Sequence, residues 1–254
     1  MCPVHESVMT LAIAIAGCNG QMGRALMNAA GGDDRFSITG TTTRGGASAS
    51  AAGASADIWI DFTTPDATME ALEALRGAKV RAAIIGTTGL SPLQKDRIAE
   101  HAKGIAIVCS GNFSLGVNLL AALVEQAAAK LGPQWDIEIL EAHHRRKVDA
   151  PSGTALMLGE AAAKGRGAAL KDVRLAPNDG ATGARKQGGI GFASLRAGGI
   201  VGEHDVVFAA EREVLTLSHS ALDRGLFADG ALAAALWAAD KPAGLYTMRD
   251  VLGV

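Results

Sequence analysis

Much of the chain's polar chemistry is concentrated in residues 138–155, where Glu138, Glu141, His143, His144, Arg145, Arg146, Lys147 and Asp149 precede Pro151-Ser152-Gly153-Thr154. His143, His144 and Lys147 supply positive charge and transferable protons near neutral pH. The Pro-Ser-Gly-Thr string falls where a helix is expected to begin, so its amides and hydroxyls can hold a carboxylate. The pattern does not suit a metal: adjacent histidines in an extended segment point to opposite sides, and there is no HExxH. It does not suit nucleic acid either, because Glu141 and Asp149 flank the basic run and no stacking aromatics are near. A solvated charged turn is the plain alternative. Facing a hydride donor, such a site would reduce a small acidic substrate.

A second set of residues could hold that donor. Gly17-Cys18-Asn19-Gly20-Gln21-Met22-Gly23 has GxxGxxG spacing between an expected strand and an expected helix. Gly17 can make the tight turn, Gly20 can let the backbone approach a pyrophosphate, and Gly23 can let helix and strand pack closely. The helix start adds free N–H groups and partial positive charge. The same spacing also serves an ordinary βα turn, and a P-loop is excluded because no GK[ST] follows. At the end of the second expected strand stand Thr42-Thr43-Arg44. No carboxylate is there to repel a 2′-phosphate and Arg44 can pair with one, which favours NADPH over NADH. Gly86-Thr87-Thr88-Gly89 and Ser110-Gly111-Asn112-Phe113 follow two further strands, where a nicotinamide would lie.

These residues need elements to position them. Expected strands at 11–16, 36–42, 57–62, 79–85 and 104–109 alternate with helices at 22–30, 65–76 and 91–102. Ser91 serves as N-cap with Pro92 at the first helical position. Such alternation argues for a parallel sheet with helices on both faces. The Gly/Ala/Ser stretch 47–56 has no periodicity and reads as a surface loop. The pattern changes near 114: helices are expected at 115–131 and 152–164. A strand at 135–142 alternates so that Ile137, Ile139 and Glu141 share a face. Strand-like runs at 190–196, 206–210 and 214–218 then follow without helices between them, an α+β arrangement. An apolar helix at 227–239 should dock against something.

Composition limits the function classes. The chain has 254 residues, room for one large domain or two small ones. Its formal charge of −2 gives no bulk attraction to nucleic acid or an anionic membrane. Glycine, at 32 residues, is nearly double the usual share without a collagen-like period, which points to loops that approach something closely. Cys2, Cys18 and Cys109 are odd in number and widely spaced, with neither a disulfide framework nor a CxxC metal site; a reducing, cytoplasmic compartment fits best. Ile15-Ala16-Gly17-Cys18 looks like a lipoprotein cleavage box, but the preceding stretch carries His5 and Glu6 and no Lys or Arg. No run approaches the roughly 20 apolar residues of a membrane helix.

The segment 138–155 resembles the signature of the 4-hydroxy-tetrahydrodipicolinate (dihydrodipicolinate) reductase family, E-[IV]-x-E-x-H-x3-K-x-D-x-P-S-G-T-A, at every position. The Gly17 turn, Asp61-Phe62-Thr63, the Gly86 loop, Asn112-Phe113-Ser114 and Val201-Gly202-Glu203-His204 also match in order and spacing, over roughly residues 10–252. The resemblance implies an α/β chain: a Rossmann-type dinucleotide-binding domain (1–114 and 225–254) and an α+β substrate and oligomerisation domain with a mixed sheet (115–224). It implies NAD(P)H-dependent reduction with loss of water in lysine and diaminopimelate synthesis, a dicarboxylate substrate, and a homotetramer assembled through the substrate-domain sheets. His143 carries over as proton donor and acceptor, Lys147 as proton donor, and His144, Ser152, Gly153 and Thr154 as substrate contacts. Cofactor contacts carry over to Gly17, Cys18, Asn19, Gly20, Gln21, Met22, Arg44, Gly86, Thr87, Thr88, Ser110, Gly111, Asn112 and Phe113. Two departures stand out. Thr43 replaces the family's acidic residue before the arginine, which weakens the case for NADH, and Ser110-Gly111 replaces a small apolar pair. The alternative reading is another NADP-linked reductase of an amino-acid-derived imine or aldehyde; the Lys147-x-Asp149-x-Pro-Ser-Gly-Thr string, suited to a dicarboxylate, discriminates against it.

Overall fold

The computed structural model describes residues 10–254; Cys2, His5 and Glu6 lie outside them. Strands and helices alternate at first: β1 (Leu11–Ala16), α1 (Gln21–Gly31), β2 (Phe36–Thr41), α2 (Ala49–Gly53), β3 (Ile58–Asp61), α3 (Pro65–Ala74), β4 (Ala82–Ile85), α4 (Pro92–His101) and β5 (Ala106–Cys109). There follow α5 (Leu115–Lys130), β6 (Asp136–His143), α6 (Gly153–Gly165), α7 (Leu170–Val173), β7 (Ile190–Arg196), β8 (Gly202–Ala209) and β9 (Val214–Ala221). The chain ends with α8 (Gly225–Ala238), β10 (Gly244–Tyr246) and α9 (Met248–Leu252). These form two compact units, one running through Leu115 and resuming over Gly225–Gly253, the other Gly116–Arg224.

The first unit is built on a six-stranded sheet, order β10-β5-β4-β3-β1-β2, with every pairing parallel. Its four inner strands, β1, β3, β4 and β5, are near-continuous apolar runs, as burial on both faces demands. One face packs Leu26, Ala231, Leu232 and Ala235 of α1 and α8 against Ile13, Ile15, Ile60 and Ile84. The other packs Ala52, Met69, Leu72 and Ile98 of α2, α3 and α4 against Ala14, Trp59, Ile85 and Ile107. Each fully buried Ile or Leu contributes about 1.5–3 kcal/mol. The apolar helix α8 thus returns to complete the core of the first unit. Ser91 caps α4 with Pro92 at its start, and Gln94 closes a capping box. Because β1 is flanked by β2 on one side and β3 on the other, the winding reverses beside it, and a ligand crevice opens at its carboxyl end.

Four short elements depart from the sequence expectation, α7 of four residues among them. Segment 47–56 is not a bare loop: Ser48 caps α2 by accepting from the Ala51 amide at 3.2 Å. α2 lies so close to β2 that a Cβ on Gly40 would stand 2.0 Å from the Ala52 carbonyl oxygen. Small residues here serve close packing, which periodicity does not register. β10 and α9, of three and five residues, are too short to show a period.

The second unit has a four-stranded mixed sheet, order β7-β6-β8-β9, in which only β6 and β7 run parallel. Ile137, Ile139 and Glu141 do share the buried face of β6. There Ile137 and Ile139 join Val206 and Phe208 of β8, Leu120 and Val124 of α5, and Leu158 and Ala162 of α6. β8 and β9 outrun the expected segments because their polar ends, such as His204 and His219, still pair across the ladder.

Candidate functional site

The glycine turn has the geometry of a phosphate cradle. Gly17 adopts φ +64°, and a Cβ there would lie 2.8 Å from the Thr63 methyl. The Gly20 amide closes the turn on the Gly17 carbonyl at 2.9 Å. A Cβ on Gly23 would stand 2.2 Å from that same carbonyl oxygen, so only glycine admits this approach of α1 to the turn. Gly20 is the N-cap of α1, whose first turn holds no acidic residue. With Asn19 and Gln21 exposed and Cys18 half-buried around this helix start, the turn fits a pyrophosphate. The neighbouring loop is held by buried Asp61, whose Oδ1 accepts from the Thr63 amide at 2.9 Å and its hydroxyl at 2.6 Å. Arg44 is exposed beyond β2, and no carboxylate stands beside it among Thr42, Thr43, Gly45 and Gly46.

Thr87, Thr88, Ser110 and Gly111 meet at one cavity of about 580 Å³ at the carboxyl ends of β4, β5 and β10. Lys95, Cys109, Tyr246 and Thr247 also line it. The Thr87 hydroxyl is engaged with that of Thr68 at 2.7 Å, and Ser110 Oγ donates to the Asn112 carbonyl at 2.8 Å. Phe113 is core, packed edge-on against Phe62 at 5.1 Å. Several of these residues can therefore serve a ligand through backbone rather than side chain. Gly86 has a packing reason, since a Cβ would fall 2.0 Å from the Phe62 ring. Burial pushes the Cys109 thiol up and keeps it protonated.

The proton-transfer residues gather in the second unit, where β6 ends and α6 begins. The Glu141 side chain is 0% exposed. Its Oε2 accepts from His143 Nδ1 at 2.6 Å and Arg196 Nη1 at 2.7 Å. Its Oε1 accepts from Arg196 Nη2 at 2.6 Å and the Ser152 amide at 3.1 Å. Burial pushes this carboxyl up, but hydrogen bonds from Arg196, Ser194 and His143 outweigh burial and hold it at about 2. An ionised carboxylate only accepts, so His143 Nδ1 donates and Nε2 is left for exchange.

Lys147 Nζ lies 2.8 Å from Asp149 Oδ1, and the Asp149 carbonyl accepts from Arg196 Nη2 at 2.7 Å. His144 Nε2 accepts from Arg224 Nη2 at 3.2 Å. Burial, then Arg146 and Arg224, lower the His144 pKa, so the fixed positive charge beside it is Arg224. Ser152 is the buried N-cap of α6: its Oγ accepts from the Ala155 amide and meets His204 Nε2 at 2.9 Å. What α6 presents outward is its first turn at Gly153 and Thr154. Arg145 and Arg146 point to solvent.

Sequence reasoning did not single out Arg196, Arg224, Lys95 or Tyr246. The arginines lie far along the chain from the motif they serve. A charged residue on the inward face of β7 was the one available signal for Arg196.

Comparison with known proteins gives a consistent result. The N-terminal family described as "Dihydrodipicolinate reductase, N-terminus" matches residues 11–113, and "Dihydrodipicolinate reductase, C-terminus" matches residues 116–252. The 4-hydroxy-tetrahydrodipicolinate reductase of Caulobacter vibrioides is 56% identical over 95% of this chain and 96% of its own. The protein of the same name from Dinoroseobacter shibae is 50% identical over 95% and 98%. Among solved structures, the dipicolinate-bound dihydrodipicolinate reductase from Paenisporosarcina sp. TG-14 superposes with a TM-score of 0.73 at 25% identity, covering 94% of this chain and 98% of that one.

Proposed function

The chain belongs to the dihydrodipicolinate reductase family, and from that premise we propose that it reduces 4-hydroxy-tetrahydrodipicolinate to tetrahydrodipicolinate with a nicotinamide nucleotide, releasing water, on the route to diaminopimelate and lysine. The observation that carries this reading is the His143 imidazole, held by a buried carboxylate at the start of an anion-binding helix. When bound at the Gly17 turn and the β4–β5 loops, the reduced nicotinamide supplies the hydride to C4 of the substrate ring, and the 4-hydroxyl departs as water around that step.

The chain's own residues do the rest. The first-turn amides at Gly153 and Thr154, with Arg224 and His144, hold the two substrate carboxylates. The ring becomes electron-rich once C4 is reduced. The Lys147 ammonium gives the departing hydroxyl the proton that makes it water and stabilises the charge on the ring; His143 takes the ring proton lost with the hydroxyl and returns it to the reduced ring from Nε2, so one proton is consumed for each hydride. Ser152 serves as the cap that fixes the helix start. Gly17, Cys18, Asn19, Gly20, Gln21 and Met22 hold the pyrophosphate, and the backbone at Gly86, Thr87, Thr88, Ser110, Gly111, Asn112 and Phe113 holds the nicotinamide end. Arg44 reads a 2′-phosphate, so NADPH is preferred to NADH.

We assign a homotetramer joined through the mixed sheet, supported by Leu140, Leu195 and Val214, which are 41%, 51% and 63% exposed on its outward side. The free thiols of Cys18 and Cys109 suit a reducing cytoplasm. The test of the activity supplies NADPH with the condensation product of pyruvate and aspartate semialdehyde and follows the nicotinamide absorbance. NADPH oxidation that requires the condensation product is the expected result; no oxidation by folded, NADPH-binding protein overturns the assignment.

A further inference from the structure

We propose that Glu141 is a positioning residue which, pinned by Arg196, sets the tautomer of His143 and the start of α6 with one carboxylate. This rests on the reading of His143 as proton donor. Glu141 itself is out of reach of any ligand, since its side chain is 0% exposed. Besides the bond from Ser194, four hydrogen bonds divide this carboxylate between two functional parts: Oε2 receives His143 Nδ1 and Oε1 receives the Ser152 amide, with one Arg196 nitrogen on each oxygen. The bidentate guanidinium prevents the carboxylate from turning. Arg196 is fixed in its turn by the carbonyls of Leu195 and Asp149, each at 2.7 Å.

A buried ion pair by itself would be a structural feature of modest net value. Two observations go further. The third donor to this pair is the imidazole, and β8 keeps the other side of that ring clear: a Cβ on Gly202 would stand 3.1 Å from His143 Nε2. Neutral His143 must then carry its proton on Nδ1. The imidazolium loses the Nε2 proton and returns to the same tautomer, with no ring flip and no change at Glu141. The bond to the Ser152 amide ties the anion-binding turn to the same pivot, so donor and substrate carboxylate keep one spacing.

The test is Glu141→Gln in the full-length protein. A glutamine oxygen can still accept from Ser152 and Arg196, but its NH2 must face His143 Nδ1, which forces the neutral ring to carry its proton on Nε2. Imidazole 15N NMR of the wild type should show a protonated Nδ1, and the variant should show the reverse. We expect kcat to fall about 10- to 100-fold, with substrate KM and NADPH affinity little changed. If this variant does not fold, Glu141→Gln with Arg196→Met removes both charges together, and loss of the Nδ1–H preference with low kcat is expected there too. An Nε2–H tautomer in the wild type overturns the proposal. So does a folded variant that keeps full kcat while His143→Gln is inactive. If His143→Gln is itself fully active, the proton-donor reading fails first.

Discussion

The Ser152 hydroxyl and His204 Nε2 lie 2.9 Å apart, joining the start of α6 to the buried face of β8 across 52 residues of sequence. Ser152 Oγ already accepts from the Ala155 amide, so its proton is free to go to His204, an arrangement that suits a neutral imidazole. Burial, then the neighbouring His143 charge, pushes His204 down to about 4 from 6.5, while Glu141 is held at about 2 against 4.5. Between about 6.5 and 4 the unfolded chain takes up a proton at residue 204 that the folded chain refuses. Stability therefore falls as pH falls through that window. Protonation of Glu141 adds a second loss between about 4.5 and 2. The melting temperature should drop in two stages on acidification, and His204→Asn should flatten the upper stage. A flat profile from pH 7 to pH 4 contradicts the buried neutral imidazole.

His143→Gln and Lys147→Ala should each lower turnover, the former by about 100-fold or more. NADPH binding should survive both changes, because the glycine turn belongs to the other compact unit. Stopped-flow turnover with fluorescence titration of NADPH separates the two quantities. Full activity in either variant removes that residue from the proton-transfer step.

How much was legible in the sequence depends on how local each signal is. The Rossmann alternation, the Ser91 cap and the shared face of Ile137, Ile139 and Glu141 follow from period and local chemistry, and all appear in the fold. Helix α2 did not, because Ala and Gly chosen for close approach to Gly40 leave no apolar stripe. At the site, the glycine spacing and the 143–154 cluster could be read directly. Arg196 and Arg224 could not: they reach Glu141 and His144 across 55 and 80 residues, and only the pairing of β7 with β6 and the end of β9 bring them there. Ser152, chosen as a ligand contact, turns its hydroxyl inward because a helix start needs its cap more than a ligand needs a third donor.

Arg44→Ala should weaken NADPH binding and leave NADH little changed. Arg44 stands exposed past β2, and Thr42, Thr43, Gly45 and Gly46 beside it in the chain carry no carboxylate, so its guanidinium can meet a 2′-phosphate and its loss removes one charge-assisted pair, worth roughly 1.5–3 kcal/mol or about 10- to 150-fold in Kd. Isothermal titration with both nucleotides reads this out. Equal losses for NADPH and NADH would show that Arg44 does not distinguish them.

Gly202→Ala separates activity from stability. No positive φ holds residue 202, so alanine fits the backbone and limits the unfolded chain, which by itself favours folding. The added methyl, however, would lie 3.1 Å from Nε2 and 3.5 Å from Cδ2 of His143, while 3.8 Å separates it from His204. His143 cannot retreat freely, because Glu141 grips its Nδ1 at 2.6 Å. The crowding therefore falls on the nitrogen that exchanges protons. Turnover should fall by about tenfold or more, as expected when a misplaced group disturbs a reacting geometry, while the melting temperature stays near that of the wild type. Rates and thermal denaturation on the same preparation decide it: a variant with unchanged kcat shows that Nε2 is not the nitrogen in use.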